Sequence, residues 1–136
     1  MSMSGVVLGD GCKELFTQMQ LKHNLRYLTF EIKDKKTIVP VAQADKSKTY
    51  ADFLGILPAG KPLYCLVDVP FTAKTGAETS KMVFVFWCPD DCGVKEKMLY
   101  ASSKDVLRKT FTGIQCEVQA NDKGDLVEAD IIKKLM

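Results

Sequence analysis

Three features of this 136-residue chain predict a mixed α/β fold: a central mixed sheet of about five strands with helices on both faces. Met82 to Trp87 is apolar at every position, the pattern of a strand covered on both sides. Val94 to Phe111 carries apolar residues at helical spacing, so one of its faces can lie on a sheet. The segments run in the order helix, two strands, helix, two strands, helix, strand, helix. With no internal repeat, low-complexity tract or linker, that order fits one domain over residues 1–136.

Met1 to Gly9 is small and polar apart from Val6, Val7 and Leu8, and its tip is expected to be mobile. Asp10 can cap a helix whose apolar stripe is Cys12, Leu15, Phe16 and Met19, ending near Lys22 to Asn24. Tyr27 to Lys33 alternates, with Leu28, Phe30 and Ile32 on one face and Tyr27, Thr29 and Glu31 on the other, as in a half-buried strand. Asp34-Lys35-Lys36 turns the chain into a returning strand, Thr37 to Ala42. Its Pro40 lacks a ladder donor, which places it at a sheet edge.

After a polar connector, Thr49 and Asp52 form a short-acid version of a helix start; Phe53, Leu54 and Leu57 follow and Pro58 stops the helix. Leu63 to Val69 is the next strand, Phe71 to Thr79 a loop, and Met82 to Trp87 the central strand. Ile114, Cys116, Val118 and Ala120 then alternate with polar residues. Asn121 to Gly124 is a turn, and Asp125 caps a terminal helix with Val127, Ile131 and Leu135 near one face.

Pro89-Asp90-Asp91 and Gly93 mark the start of the long helix, and Gly113 suits the left-handed conformation that closes one. On a helical wheel Leu99, Ser103, Val106, Leu107 and Thr110 share a face, with Tyr100 and Phe111 on its flank. The opposite face carries Lys97, Met98, Ala101, Asp105 and Arg108, with Lys95, Lys104 and Lys109 at its margins. Exposed methionine among cations is equally compatible with a partner-binding face and with a stray apolar residue on an ordinary surface.

Apolar residues make up 46% of the chain and charged ones 26%, which excludes a disordered segment. A net charge of +2 is too small to argue for nucleic acid. The N-terminus lacks a signal-peptide core and no apolar run reaches membrane-spanning length, so a cytosolic protein is expected. The odd count of five cysteines does not read as a secreted disulfide framework. Cys88 and Cys92 lack a second pair to complete a zinc site, and their spacing is not that of a redox motif, so Cys92 is at most a reactive surface thiol. The one histidine, His23, has no adjacent acid or cysteine and reads as an exposed helix-end residue. No metal, cofactor or catalytic residue is expected.

The long helix, KMLYASSKDVLRKTFTGI with EVQAND after it, resembles the signature of the actin-depolymerising factor/cofilin family. Ser4-Gly5-Val6 is similar to the family's N-terminus. Tyr50, Asp52, Phe53 and Leu57-Pro58 are similar to its YxDFxxxLP segment, and Tyr64 with Asp68 to its YxxxD strand. Ser80-Lys81 leading to Phe86-Trp87-Cys88-Pro89-Asp90 resembles its SK…FxWxPD run. These matches follow in order along nearly the whole chain.

The resemblance implies a single actin-depolymerising-factor homology fold and a non-enzymatic, cytoplasmic, monomeric protein of the actin cytoskeleton. It would bind actin monomers and filaments and promote filament depolymerisation and severing. The alternatives are a monomer sequesterer with weak severing and, from another class, a thiol redox enzyme using Cys88 and Cys92. The resemblance places a monomer site at Ser4, Gly5, Val6, Lys95, Lys97, Met98, Ser102, Lys104 and Asp105. It places a filament surface at Lys81, Lys133 and Lys134, and makes Ser4 a candidate for phosphoregulation. Thr79 stands where a basic residue is common in the family. The resemblance also implies binding of phosphoinositide head groups, for which Lys95, Lys97, Lys104, Arg108 and Lys109 are candidates by charge.

Overall fold

The computed structural model describes residues 5–114 and 116–136. Ser4, and the tip whose mobility the sequence predicts, lie outside the described residues. The elements are β1 (Val7–Leu8), α1 (Cys12–Lys22), β2 (Leu25–Lys33), β3 (Thr37–Asp45), α2 (Tyr50–Gly55), β4 (Leu63–Thr72), β5 (Glu78–Trp87), α3 (Val94–Thr110), β6 (Cys116–Ala120), a 3-10 turn (Lys123–Leu126) and α4 (Glu128–Leu135). One six-stranded sheet has the order β1-β3-β2-β4-β5-β6. β1 runs parallel to β3 and β6 parallel to β5, while the inner pairs are antiparallel.

Strand alternation divides the core into two layers. Cys65, Val67, Val83, Val85, Trp87 and Val118 face α2 and α4, with Phe53, Leu126, Ile131 and Leu135 against them. Leu28, Phe30, Tyr64, Leu66, Phe84 and Phe86 face α1 and α3, with Phe16, Met19, Tyr100, Leu107 and Phe111 against them. The middle of the sheet is therefore β2 and β4, and β5 lies one place further out. Every residue from Leu63 to Val69 is buried, as is every one from Val83 to Trp87.

Several sequence expectations are revised. β2 is half-buried only in its second half, where Glu31 is exposed and Ile32 packs on the α1/α3 side; from Tyr27 to Phe30 both faces are covered. Val7–Leu8 forms a sixth strand, too short to carry a pattern. Gly9 ends it, and a Cβ there would lie 2.5 Å from the Ile38 carbonyl oxygen, so only glycine allows this approach. β1 covers only Thr37 and Ile38; Pro40 lies further along β3, where Phe30 pairs with Pro40 and Thr29 with Ala42, leaving Val41 as the extra residue of a bulge.

Asp10 does not cap α1, whose N-cap is Gly11 with no side-chain hydrogen bond. The stretch from Phe71 to Thr79 is mostly a hairpin, with Phe71 paired to Thr79 and Thr72 to Glu78. Asp125 accepts the Asn121 N–H at 2.9 Å instead of capping α4, which starts after Val127. Ile114 packs on the α1/α3 side, opposite to Cys116, because β6 begins only at Cys116. The Thr49–Asp52 capping box forms in both directions, and Gly113 takes φ +85 just beyond α3.

Polar ties join the elements across the sheet. Tyr50 Oη donates to the Leu126 carbonyl at 2.7 Å and Trp87 Nε1 to the Pro58 carbonyl at 2.8 Å. Tyr64 Oη donates to the Tyr100 carbonyl of α3, and the Ile32 N–H donates to Tyr100 Oη at 2.9 Å. That amide lies past Phe30–Tyr64, the last pair of the β2–β4 ladder, so Tyr100 supplies the partner that β4 no longer can. Tyr64→Phe deletes one donor while the Tyr100 carbonyl keeps its bond within the helix. The expected cost is about 1 kcal/mol, read as a lowered urea midpoint at unchanged slope. An unchanged midpoint would mean that the hydroxyl holds nothing.

Candidate functional site

With Tyr100, Ser103 and Leu107 buried, α3 turns its other side to solvent. Met98 is 67% exposed and Val94, one turn earlier, 72%. At i and i+4 they form one apolar ridge. Lys95, Ala101, Ser102, Asp105 and Lys109 are exposed around it. The Ser102 hydroxyl donates back to the Met98 carbonyl at 2.7 Å, so it fixes the backbone beneath the methionine. Lys97 is half-buried and donates to the Asp90 carbonyl at 3.1 Å, tying the helix to the preceding turn.

The second half of the helix differs from a row of solvated cations. Lys104 has a side-chain exposure of only 16%; its ammonium sits 5.5 Å from the Phe86 ring centre and 3.6 Å from Glu117 Oε2. Arg108 forks onto Glu117, with Nε 2.6 Å from Oε1 and a second nitrogen on Oε2, and its remaining nitrogen lies 3.1 Å from Asp105 Oδ1. Hydrogen bonding from Arg108 first, and then the charge of Lys104, hold the Glu117 carboxyl below the ordinary range. Glu117 comes from β6. No spacing in the sequence could reveal its partners, whereas Val94 was open to discovery as the residue four before Met98.

β1 packs beside α3, which brings the chain immediately after Gly5 and Val6 next to that helix. Gly5 is exposed, with φ +77. Val6 is only 1% exposed and belongs to the α1/α3 core, which corrects its expected place as a contact side chain; it anchors the segment instead. On the opposite face of the sheet, Lys81 Nζ donates to the Leu135 carbonyl at 3.0 Å, at the C-terminal end of α4 where a cation is favoured. Lys133 and Lys134 are exposed on that last turn. Thr79, also exposed, precedes Lys81 by two residues and shares its face.

Other candidates resolve into structure. His23 is exposed at the end of α1, where its N–H donates to the Met19 carbonyl at 3.1 Å. Asp68, 1% exposed, pairs with Lys46, while Arg26 donates to its carbonyl at 2.9 Å. Among the described residues no group of three or more His, Cys, Asp or Glu could hold a metal ion, and no helix is long and apolar enough to cross a membrane. Cys92 is buried rather than superficial, with its sulfur 3.6 Å from that of Cys88.

Residues 5–136 match the family model described as cofilin/tropomyosin-type actin-binding protein. The chain is 37% identical to a cofilin of Schizosaccharomyces pombe over 135 residues, covering 99% of this chain and 98% of that one. It is 38% identical to actin-depolymerizing factor 2 of Zea mays over 133 residues, covering 97% and 95%. The crystal structure of Streptomyces griseoflavus cofilin superposes with a TM-score of 0.86 at 32% identity, covering 97% of this chain and 100% of that one.

The thiols test the packing of both core layers without any partner. Burial pushes Cys12, Cys65 and Cys116 up, and Cys88 to about 11, away from the reactive thiolate at neutral pH. An aromatic disulfide reagent at neutral pH should react slowly with the native protein, and quickly with all five cysteines once denaturant is added. One rapid equivalent in the native state would place a thiol at the surface.

Proposed function

The chain belongs to the cofilin/actin-depolymerising factor family, and on that premise we propose that it binds actin monomers and filaments and promotes filament depolymerisation and severing. The observation that carries this reading is the outward side of α3. An apolar ridge of Val94 and Met98, ringed by Lys95, Lys97 and Asp105, stands on a helix whose docking leaves it little freedom. An apolar anchor with a charged rim suits a hydrophobic cleft, the rim setting orientation and association rate.

The proposed monomer surface comprises Ser4, Gly5, Lys95, Lys97, Met98, Ser102, Lys104 and Asp105, with Val94 added and Val6 acting from within. Ser4 is the proposed phosphorylation site: a phosphate there adds about −1.5 to −2 charge next to that surface. The proposed filament surface comprises Lys81, Lys133 and Lys134. Phosphorylated lipid head groups would meet Lys95 and Lys109 first, because Lys97, Lys104 and Arg108 are already engaged. The proposed action is non-enzymatic, needs no cofactor, and is that of a monomer in the cytoplasm at the actin cytoskeleton.

Lys95→Glu combined with Lys97→Glu should weaken actin-monomer binding by about tenfold or more through reversed rim charge. Stability should fall only modestly, by about 1 kcal/mol: Lys95 is exposed, where substitutions usually stay within about ±0.5 kcal/mol, and Lys97→Glu also gives up its bond to the Asp90 carbonyl. Affinity and thermal midpoint are measured together; an unaltered affinity would remove α3 from the site.

The filament surface has its own test. Thr79→Arg adds a cation on the face of Lys81 and α4, so co-sedimentation with filaments should rise. The gain should be larger at low salt, because exposed charges are screened over about 10 Å at 0.1 M. Monomer affinity should stay the same. Filament binding that ignores the added charge would exclude this face.

A further inference from the structure

We infer that Glu117 is a positioning residue of the α3 surface: it holds Lys104 and Arg108 in place for a protein partner and withholds both cations from phosphorylated head groups. This rests on the reading of α3 as the actin-binding helix.

Glu117 projects from β6 toward the second half of α3, on the side of the sheet opposite to Cys116 and Val118. Its carboxylate meets Arg108 in a two-pronged arrangement that fixes the guanidinium plane. Asp105 takes Arg108 from the other side at 3.1 Å, and Lys104 completes the cluster at 3.6 Å. Two cations are thus balanced by two carboxylates from separate elements. Lys95 and Lys109, by contrast, have no ion-pair partner among the described residues.

The consequence differs for two kinds of ligand. A protein surface that must match Asp105 and the Lys104 stem gains from side chains already immobilised, because ordering each long side chain on binding opposes affinity. A phosphorylated head group gains nothing from order alone. It must displace Glu117 from Arg108 and approach a carboxylate that repels it. Glu117 therefore favours the protein partner and disfavours the anion, and its removal should move the two affinities in opposite directions. Loss of a merely structural residue would lower both.

The test compares the parent, Glu117→Gln, Arg108→Gln and the double variant. Actin-monomer affinity is measured beside sedimentation with phosphatidylcholine vesicles with and without phosphatidylinositol bisphosphate, and beside binding of a soluble inositol polyphosphate. Glu117→Gln should weaken monomer binding about tenfold, as two side chains lose their order. It should strengthen binding to bisphosphate vesicles about fivefold, and to the soluble inositol polyphosphate in the same direction, as two cations are released. Both effects should shrink in the Arg108→Gln background, as coupled residues require. Affinities that fall together, stay unchanged, or rise on vesicles alone overturn the inference. If the parent itself fails to bind actin, the reading of α3 falls, and the head-group arms still decide whether Glu117 restrains the cations.

Discussion

Tyr100 sets the orientation on which the rest of the α3 surface depends. Its ring packs against Tyr64 with centroids 5.1 Å apart, its hydroxyl accepts the Ile32 N–H, and its carbonyl accepts the Tyr64 hydroxyl. Apolar burial alone is non-directional. A helix resting on Leu107 and Phe111 could roll with little loss of buried area, and each step of one residue turns a helix by about 100°. Hydrogen bonds to two strands through one residue remove that freedom. α3 has no side-chain cap at its start; Lys97 ties that end to the Asp90 carbonyl, and Tyr100 adds the constraint from the sheet. Met98 and Val94 point outward because Tyr100 points inward.

The residues that make the family legible in the sequence are mostly those that build this frame. Tyr50 bonds to the Leu126 carbonyl, Asp52 closes the capping box, Phe53 is fully buried, Tyr64 holds α3, Asp68 pairs with Lys46 and Trp87 reaches the Pro58 carbonyl. Apart from the local capping box of Asp52, these contacts tie together elements far apart in the chain, which restricts what can replace them. Contact residues such as Lys95 or Lys133 have open surroundings and carry less information. The fold class and the long helix were therefore readable from pattern and motif, and the helix bounds agree to within one residue at its end.

What escaped the sequence has a common physical cause. Val7–Leu8 is too short for periodicity, and its partner Ile38 lies about thirty residues away in a register that no local rule fixes. The hairpin from Phe71 to Thr79 reads as a loop because its polar residues face solvent on a ladder that backbone atoms supply. The motif marks Val6 as a site residue, yet packing takes its side chain inward. Glu117 lay unmarked because its meaning depends on two residues of another element. Periodicity reports which face of an element is buried; it does not report what meets that face.

The sheet has a further consequence for the two proposed contact surfaces. α3 lies on the face that carries Tyr64, Phe84 and Phe86, whereas Lys81 and α4 lie on the face that carries Val83, Val85 and Trp87. β5 contributes to both core layers, so a single sheet joins the elements that carry the two surfaces. Close-packed interiors transmit strain and deform little. A partner held at α3 and another held at Lys81 would therefore be set in a nearly fixed relative orientation. If a filament's own geometry differs from that orientation, the mismatch must be taken up by the softer contact, between the filament's subunits, and not by the sheet. Under the proposed function, a small rigid body with two contact faces would strain a polymer in this way.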